Sequence, residues 1–372
     1  MKPILLAMGT RPEAIKLSPL VPALRERGLE PRVLATGRDR GPLRQALDDY
    51  GIAPAFDIDL TREEQPLTDL FARLTEGVGK VLREDPPAAV VAEGGAATAL
   101  AASLAAFYEG IPLAHVEAGL RSNRVRSPFP EELHRRAISL LADLHFAPTP
   151  SAKRNLLAEG IEERRVHLVG NTVIDALQYS LKQPETAEWD LPPRLTPILF
   201  TAHRREHFGE AMRGMFRAAR RIAEEHPDVV VICPLPADAR VREAAKEADG
   251  CDRVRLIEPP SPIRFHRLLS RCKLVMTDSS GIQEEVTALG IPTVVMRYST
   301  ERTEGVRAGC LMLCGTHEDG IAAAVNALLR PGSELYASMR HPSDVFGDGH
   351  AAERIAGILA EFVNAAERGA AR

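Results

Sequence analysis

Short apolar runs recur along this chain, each separated from the next by a longer segment whose apolar residues have helical spacing. That alternation constrains the fold more than any other feature. A run without polar alternation reads as a strand buried on both faces, and parallel sheets covered by helices are where such strands occur. In the first half the spacing predicts strands at 4–8, 32–36, 88–92, 112–116, 145–147 and 166–169. In the second half it predicts strands at 198–201, 229–233, 254–257, 274–277 and 293–296. Helical patterns fall at 19–27, 67–82, 99–108, 131–141, 209–225 and 321–329. The chain has 372 residues, enough for two α/β domains with separate cores. A Pro-rich stretch, 183–197, reads as an exposed loop separating the halves.

A net charge of −4 gives no reason to expect nucleic acid or an anionic membrane as partner. No apolar run approaches the roughly 20 residues needed to span a bilayer. The run at 4–8 is too short for a signal sequence and leads straight into a turn of functional character. The five cysteines, Cys233, Cys251, Cys272, Cys310 and Cys314, form no CxxC pair. They read as reduced thiols of a cytoplasmic protein, with no metal site and no cofactor implied.

The segment 277–305 carries the most chemistry. An apolar run ends at Thr277, and the small residues Ser279, Ser280 and Gly281 open a helical stretch. A strand, a small-residue turn and a helix N-terminus leave backbone N–H groups free for an anion. Glu284 and Glu285 follow in the first turns, where a carboxylate accepts from two vicinal sugar hydroxyls. Arg302, after the next strand, supplies a cation for the same phosphates. Together they suggest a nucleoside-diphosphate sugar. The alternative is an ordinary strand–turn–helix with a solvated Glu pair.

Other segments narrow the reading: GTRPEAIK at 9–16, HVEAGLR at 115–121, FPEE at 129–132, GNTVIDAL at 170–177 and HRRE at 203–206, followed by GIQEE at 281–285 and TER at 300–302. In this order and spacing the set resembles the non-hydrolysing UDP-N-acetylglucosamine 2-epimerases, over almost the whole chain. The resemblance implies two doubly wound Rossmann-like domains facing a central cleft, a GT-B-like arrangement shared with two-domain glycosyltransferases. The expected division is 1–170, completed by a C-terminal helix at 350–371, and 171–349. It also implies a homodimer, a UDP-sugar substrate and elimination of UDP to a glycal, then re-addition from the other face.

The chemistry assigns roles by resemblance. Positive charge for the departing diphosphate would come from Arg11, Lys16, His203 and Arg302 with the Ser279–Ser280–Gly281 turn. Glu117 and Glu131 would move the C2 proton. Glu285 would hold the ribose, and Phe265 would lie beside the uracil. Structural alternatives stand beside these: Glu117 paired with Arg121, Glu131 as a helix-start residue with Glu132 solvated, and His203 as a core histidine.

The chain also departs from the family. Where the family has His-Gly-Asp-Thr after the third strand, this chain has Glu93-Gly94-Gly95-Ala96. Gly95 thus stands at the position of an Asp implicated in catalysis, Glu93 two residues away is a replacement carboxylate, and Gly95→Asp is expected to raise activity on UDP-GlcNAc if the family's sugar geometry persists. Arg38, Asp39 and Pro236 replace polar residues of a second, allosteric UDP-GlcNAc site. Alternative readings are a hydrolysing relative that releases free sugar, a glycosyltransferase, and a catalytically impaired UDP-sugar-binding paralogue.

Overall fold

The computed structural model describes residues 2–37, 40–58, 65–184 and 194–370. Arg38 and Asp39, and much of the expected loop 183–197, lie outside the described residues. The chain forms two compact units, Met1–Tyr179 with Gly347–Arg372, and Ser180–Phe346.

The first unit begins with β1 (Ile4–Met8), α1 (Arg11–Leu17), α2 (Leu20–Glu26), β2 (Pro31–Ala35), α3 (Arg40–Asp49) and β3 (Phe56–Asp57). It continues through α4 (Leu67–Glu84), β4 (Ala89–Glu93), α5 (Ala97–Tyr108), β5 (Leu113–Val116) and α6 (Glu131–Leu141). Then come β6 (Leu144–Ala147), α7 (Pro150–Ala158), β7 (Val166–Leu168) and α8 (Thr172–Lys182), which leads into the second unit. There the order is β8 (Thr196–Thr201), α9 (Glu210–Glu225), β9 (Val229–Pro234), α10 (Ala239–Ala245), β10 (Val254–Ile257) and α11 (Pro262–Arg271). It is completed by β11 (Leu274–Thr277), α12 (Ser280–Leu289), β12 (Thr293–Val295), α13 (Thr303–Arg307), β13 (Leu311–Leu313), α14 (Glu318–Leu329) and α15 (Glu334–Met339). The last helix, α16 (Ala351–Ala370), belongs to the first unit.

Each unit holds one parallel sheet. The orders are β3-β2-β1-β4-β5-β6-β7 and β10-β9-β8-β11-β12-β13, the doubly wound arrangement expected from the sequence. Alternate residues of β1 show why its run is wholly apolar. Ile4, Leu6 and Met8 pack with α2 and α16 on one face, while Leu5 and Ala7 pack with α4 and α5 on the other. In α16, Ile355, Leu359 and Val363 join the first of these clusters. Each such side chain contributes about 1.5–3 kcal/mol by burial. The helix start is tied down as well: the Ala352 N–H donates to Asp175 Oδ1 at 2.8 Å.

Two edge strands, β3 and β13, were not expected from the sequence. They are two and three residues long, too short for a periodic signal. Among the described residues no helix is long and apolar enough to cross a membrane.

Candidate functional site

In a doubly wound sheet, ligands bind beyond the carboxyl ends of the strands where the strand order reverses. In the first unit that point lies at β1 and β4. The segment after β1, read from sequence as a turn, is the start of α1. Pro12 sits in its first turn, and Glu13 reaches back to accept from the Gly9 N–H at 2.9 Å and Thr10 Oγ1 at 2.8 Å. Arg11 is half-buried at the first helical position.

Lys16, a turn later, was expected to serve the diphosphate. The structure places its ammonium on carboxylates: it donates to Glu93 Oε1 at 2.8 Å and pairs with Glu117 Oε2. Both acids leave the carboxyl ends of adjacent strands, β4 and β5, and both are buried. Burial pushes Glu93 up to about 8, against the pull of Lys16 and with help from the Glu117 charge.

Glu117 has φ +61°, a left-handed conformation that costs a residue with a Cβ about 1–2 kcal/mol. Its surroundings fix it there. Asn171 Nδ2 donates to Glu117 Oε2 at 3.0 Å, while Asn171 Oδ1 accepts from the Val173 N–H at the start of α8. Backbone strain at a held carboxylate is the kind found at functional sites. The Arg121 alternative does not hold, because Arg121 pairs with Glu159 at 2.7 Å and donates to Ser139 Oγ.

The turn after β4 is pinned by two imidazoles. His115 Nε2 donates to the Gly94 carbonyl at 2.8 Å, and His134 Nδ1 to that of Gly95 at 2.9 Å. Burial pushes His115 down to about 3, so its ring is neutral at physiological pH. Glu131 opens α6 and is half-exposed. Its neighbour Glu132, read as solvated in the structural alternative, is buried, accepting from the Ser122 N–H at 3.0 Å and Arg136 Nε at 3.1 Å.

The restoration expected of Gly95→Asp meets a steric obstacle. A Cβ at Gly95 would stand 2.7 Å from the Glu131 carbonyl oxygen and 2.9 Å from Arg135 Cγ. The start of α6 occupies the space a side chain would need.

In the second unit the corresponding point lies at β8 and β11. Asp278 follows β11, is fully buried, and organises the loop after β8. It accepts from the backbone N–H groups of His203 and Arg204, the latter at 2.9 Å, and from His207 Nδ1 at 3.1 Å. Burial pushes the carboxyl up, but His207, the His203 charge and the two backbone donors outweigh it and hold it below the usual range. His203 is no core histidine: its side chain is 51% exposed, with Nδ1 3.4 Å from Asp278 Oδ1.

Ser279 is the N-cap of α12 without a side-chain cap, and its own N–H donates to Thr277 Oγ1 at 2.9 Å. A Cβ at Gly281 would meet nothing within 4 Å, so the first turn faces open space. Ser280, half-buried, takes hydrogen bonds into a charged ring around that turn. Arg204, Arg297 and Arg302 surround Glu301, with Arg297 at 2.9 Å and Arg204 at 3.3 Å. Burial raises the Glu301 carboxyl, yet the three guanidinium groups outweigh it and hold it far below the usual range.

Arg302 is buried and donates to Glu284 Oε1 at 2.7 Å. Glu284 is thereby occupied, which singles out Glu285. That residue is buried, with Oε1 3.3 Å from His266 Nε2 and Oε2 without a hydrogen-bond partner among the described residues. His266 is itself fixed through Nδ1 to Ser180 Oγ at 2.8 Å, and Phe265 lies beside it, half-buried, on α11. Asn171, His266 and Asp278 were not singled out from sequence. They act through other side chains, and single polar residues of that kind leave no pattern.

Two doubly wound units, one presenting a buried carboxylate–lysine cluster and the other an uncapped helix ringed by arginines, define a GT-B-like two-domain α/β protein. The family model for UDP-N-acetylglucosamine 2-epimerase matches residues 22–360. A UDP-N-acetylglucosamine 2-epimerase of Bacillus subtilis is 42% identical over 355 residues, covering 95% of this chain and 93% of that protein. The S. aureus MnaA–UDP co-structure superposes with a TM-score of 0.92 at 39% identity, covering 98% of this chain and 97% of that one. The Neisseria meningitidis UDP-GlcNAc 2-epimerase bound to UDP-GlcNAc gives a TM-score of 0.91 at 36% identity, covering 96% and 99%. The chain belongs to the UDP-N-acetylglucosamine 2-epimerase family, whose members are isomerases.

Proposed function

We propose that the chain interconverts UDP-GlcNAc, or a related UDP-sugar, and its C2 epimer by loss and return of UDP. The observation that carries this reading is the pair of buried carboxylates, Glu93 and Glu117, sharing Lys16 at the carboxyl ends of β4 and β5. A carboxylate, Glu117 or Glu131, takes the C2 proton. The C2–H electrons form the C1=C2 bond, and the C1–O electrons leave with UDP. Return of UDP to C1 and of a proton to the other face of C2 completes the exchange. Lys16 holds the carboxylates in place during these steps.

The second unit serves the nucleotide. N–H groups at Ser280 and Gly281, the guanidinium groups of Arg204 and Arg302, and His203 meet the diphosphate charge. The unpartnered Glu285 Oε2 accepts from a ribose hydroxyl, and Phe265 packs on the base. Glu285→Ala should therefore weaken UDP by about 2 kcal/mol, roughly thirtyfold, through lost charge-assisted hydrogen bonds. Calorimetric titration with UDP and with uridine checks this, since both ligands lose the same contact; unchanged affinity for both would sink the assignment.

The decisive assay is incubation with UDP-GlcNAc in D2O followed by NMR. Deuterium at C2 of a UDP-linked sugar supports the reading. Free sugar means a hydrolysing relative, and bound but unchanged substrate means a binding protein.

The protein is further proposed to act in the cytoplasm, in cell-envelope polysaccharide synthesis, as a homodimer. Five free cysteines suit a reducing compartment. For the dimer, Phe107 and Tyr108 at the end of α5, with Leu133 and Leu140 spaced i, i+7 on α6, are large apolar side chains left exposed on adjacent helices. Leu140→Glu is expected to shift the mass measured by light scattering from dimer toward monomer. A wild-type monomer would rule the interface out.

A further inference from the structure

Arg135 is a cation without a counter-charge. It lies one helical turn after Glu131 on α6, yet the guanidinium makes no hydrogen bond or ion pair with any described residue, and its Nε is buried. Its side chain lies over Gly95, where a Cβ would stand 2.9 Å from Arg135 Cγ and 3.5 Å from Nε. The missing side chain at position 95 therefore does two things: it makes room for the arginine, and it removes the nearest place for a carboxylate that would neutralise it.

A buried guanidinium nitrogen with no acceptor is costly unless a ligand supplies one. The diphosphate is already assigned Arg204 and Arg302, which stand beside Glu301 around α12 in the second unit. Arg135 instead shares a helix face with Glu131, the residue assigned to the sugar.

We propose that Arg135 binds a carboxylate carried by the hexose, so that the preferred substrate is a UDP-linked N-acetylhexosaminuronic acid rather than the neutral sugar. A planar guanidinium pairs with a carboxylate through two parallel hydrogen bonds, which gives both affinity and discrimination. A site built for such a pair disfavours the neutral analogue, because the buried Nε is then left unpaired. The inference deepens the C2-epimerase reading and rests on it.

The test compares UDP-GlcNAc with UDP-N-acetylglucosaminuronic acid on the wild-type protein, Arg135→Gln and Arg135→Lys. Two readouts are used: C2 deuterium incorporation for kcat/KM, and calorimetry for affinity. The wild type is expected to prefer the uronate by about thirtyfold or more in both. Arg135→Gln should collapse that preference toward unity with UDP affinity held within about threefold, and Arg135→Lys should recover part of it. Equal use of both sugars by the wild type overturns the proposal. So does a loss of UDP affinity in Arg135→Gln as large as the loss for the uronate, since the arginine would then serve the diphosphate. If neither sugar exchanges at C2 but the uronate still binds more tightly through Arg135, the epimerase reading falls and the carboxylate site stands.

Discussion

Replacing Glu117 by Gln is expected to lower C2 proton exchange by about 10²–10⁴, or roughly 3–5 kcal/mol of barrier, with UDP affinity within about tenfold of wild type. Gln keeps the shape and one acceptor for Asn171, and Lys16 keeps Glu93 as partner, so the local structure has what it needs to persist. The variant loses only the capacity to take a proton. The groups assigned to UDP lie mostly in the second unit, so binding and chemistry separate in this variant, the pattern of an interaction made only in the transition state. Glu131→Gln should behave alike. Exchange that continues undiminished in Glu117→Gln would show that the strained conformation at φ +61° serves some other purpose.

Much of this was legible in the sequence, for identifiable reasons. Strands buried on both faces are continuous apolar runs, so β1 and β11 could be bounded to the residue from composition alone. The helix at 131–141 was equally plain, because its apolar face repeats over three turns. What stayed hidden depended on partners distant in sequence. Lys16 reads as a phosphate ligand until Glu93 and Glu117 are seen to flank it, 77 and 101 residues away. Arg302 likewise reads as a free cation, although Glu284 holds it at 2.7 Å. Gly95 reads as a lost side chain; only the approach of the Glu131 carbonyl and Arg135 shows that the backbone there has no room for one.

Glu93→Gln offers the other large effect, and its sign depends on pH. The Glu93 carboxyl is pushed from 4.5 to about 8 in the folded protein by burial, opposed by Lys16 and reinforced by Glu117. Folded-state pKa above the unfolded one means that the native protein keeps a proton which the unfolded chain releases from about pH 4.5 upward. Across the window from 4.5 to about 8 the unfolded chain therefore binds fewer protons, and stability falls with rising pH by about 1.4 kcal/mol per unit from this group. Glutamine mimics the protonated carboxyl and has no such slope. Other titrating groups, His115 among them, are common to both proteins and cancel in the difference. Urea unfolding at pH 6 and pH 8 should show the variant gaining about 2 kcal/mol on the wild type over those two units, because the slope halves as the pH reaches the folded pKa. In the active site the same proton matters: while Glu93 holds it, Lys16 is left to balance Glu117 alone, which keeps one carboxylate as base beside one neutral acid. A wild-type-minus-variant difference that is flat with pH would mean that Glu93 is ionised when folded. Lys16 would then be divided over two carboxylates, and the cluster would carry net negative charge beside a substrate that is itself an anion.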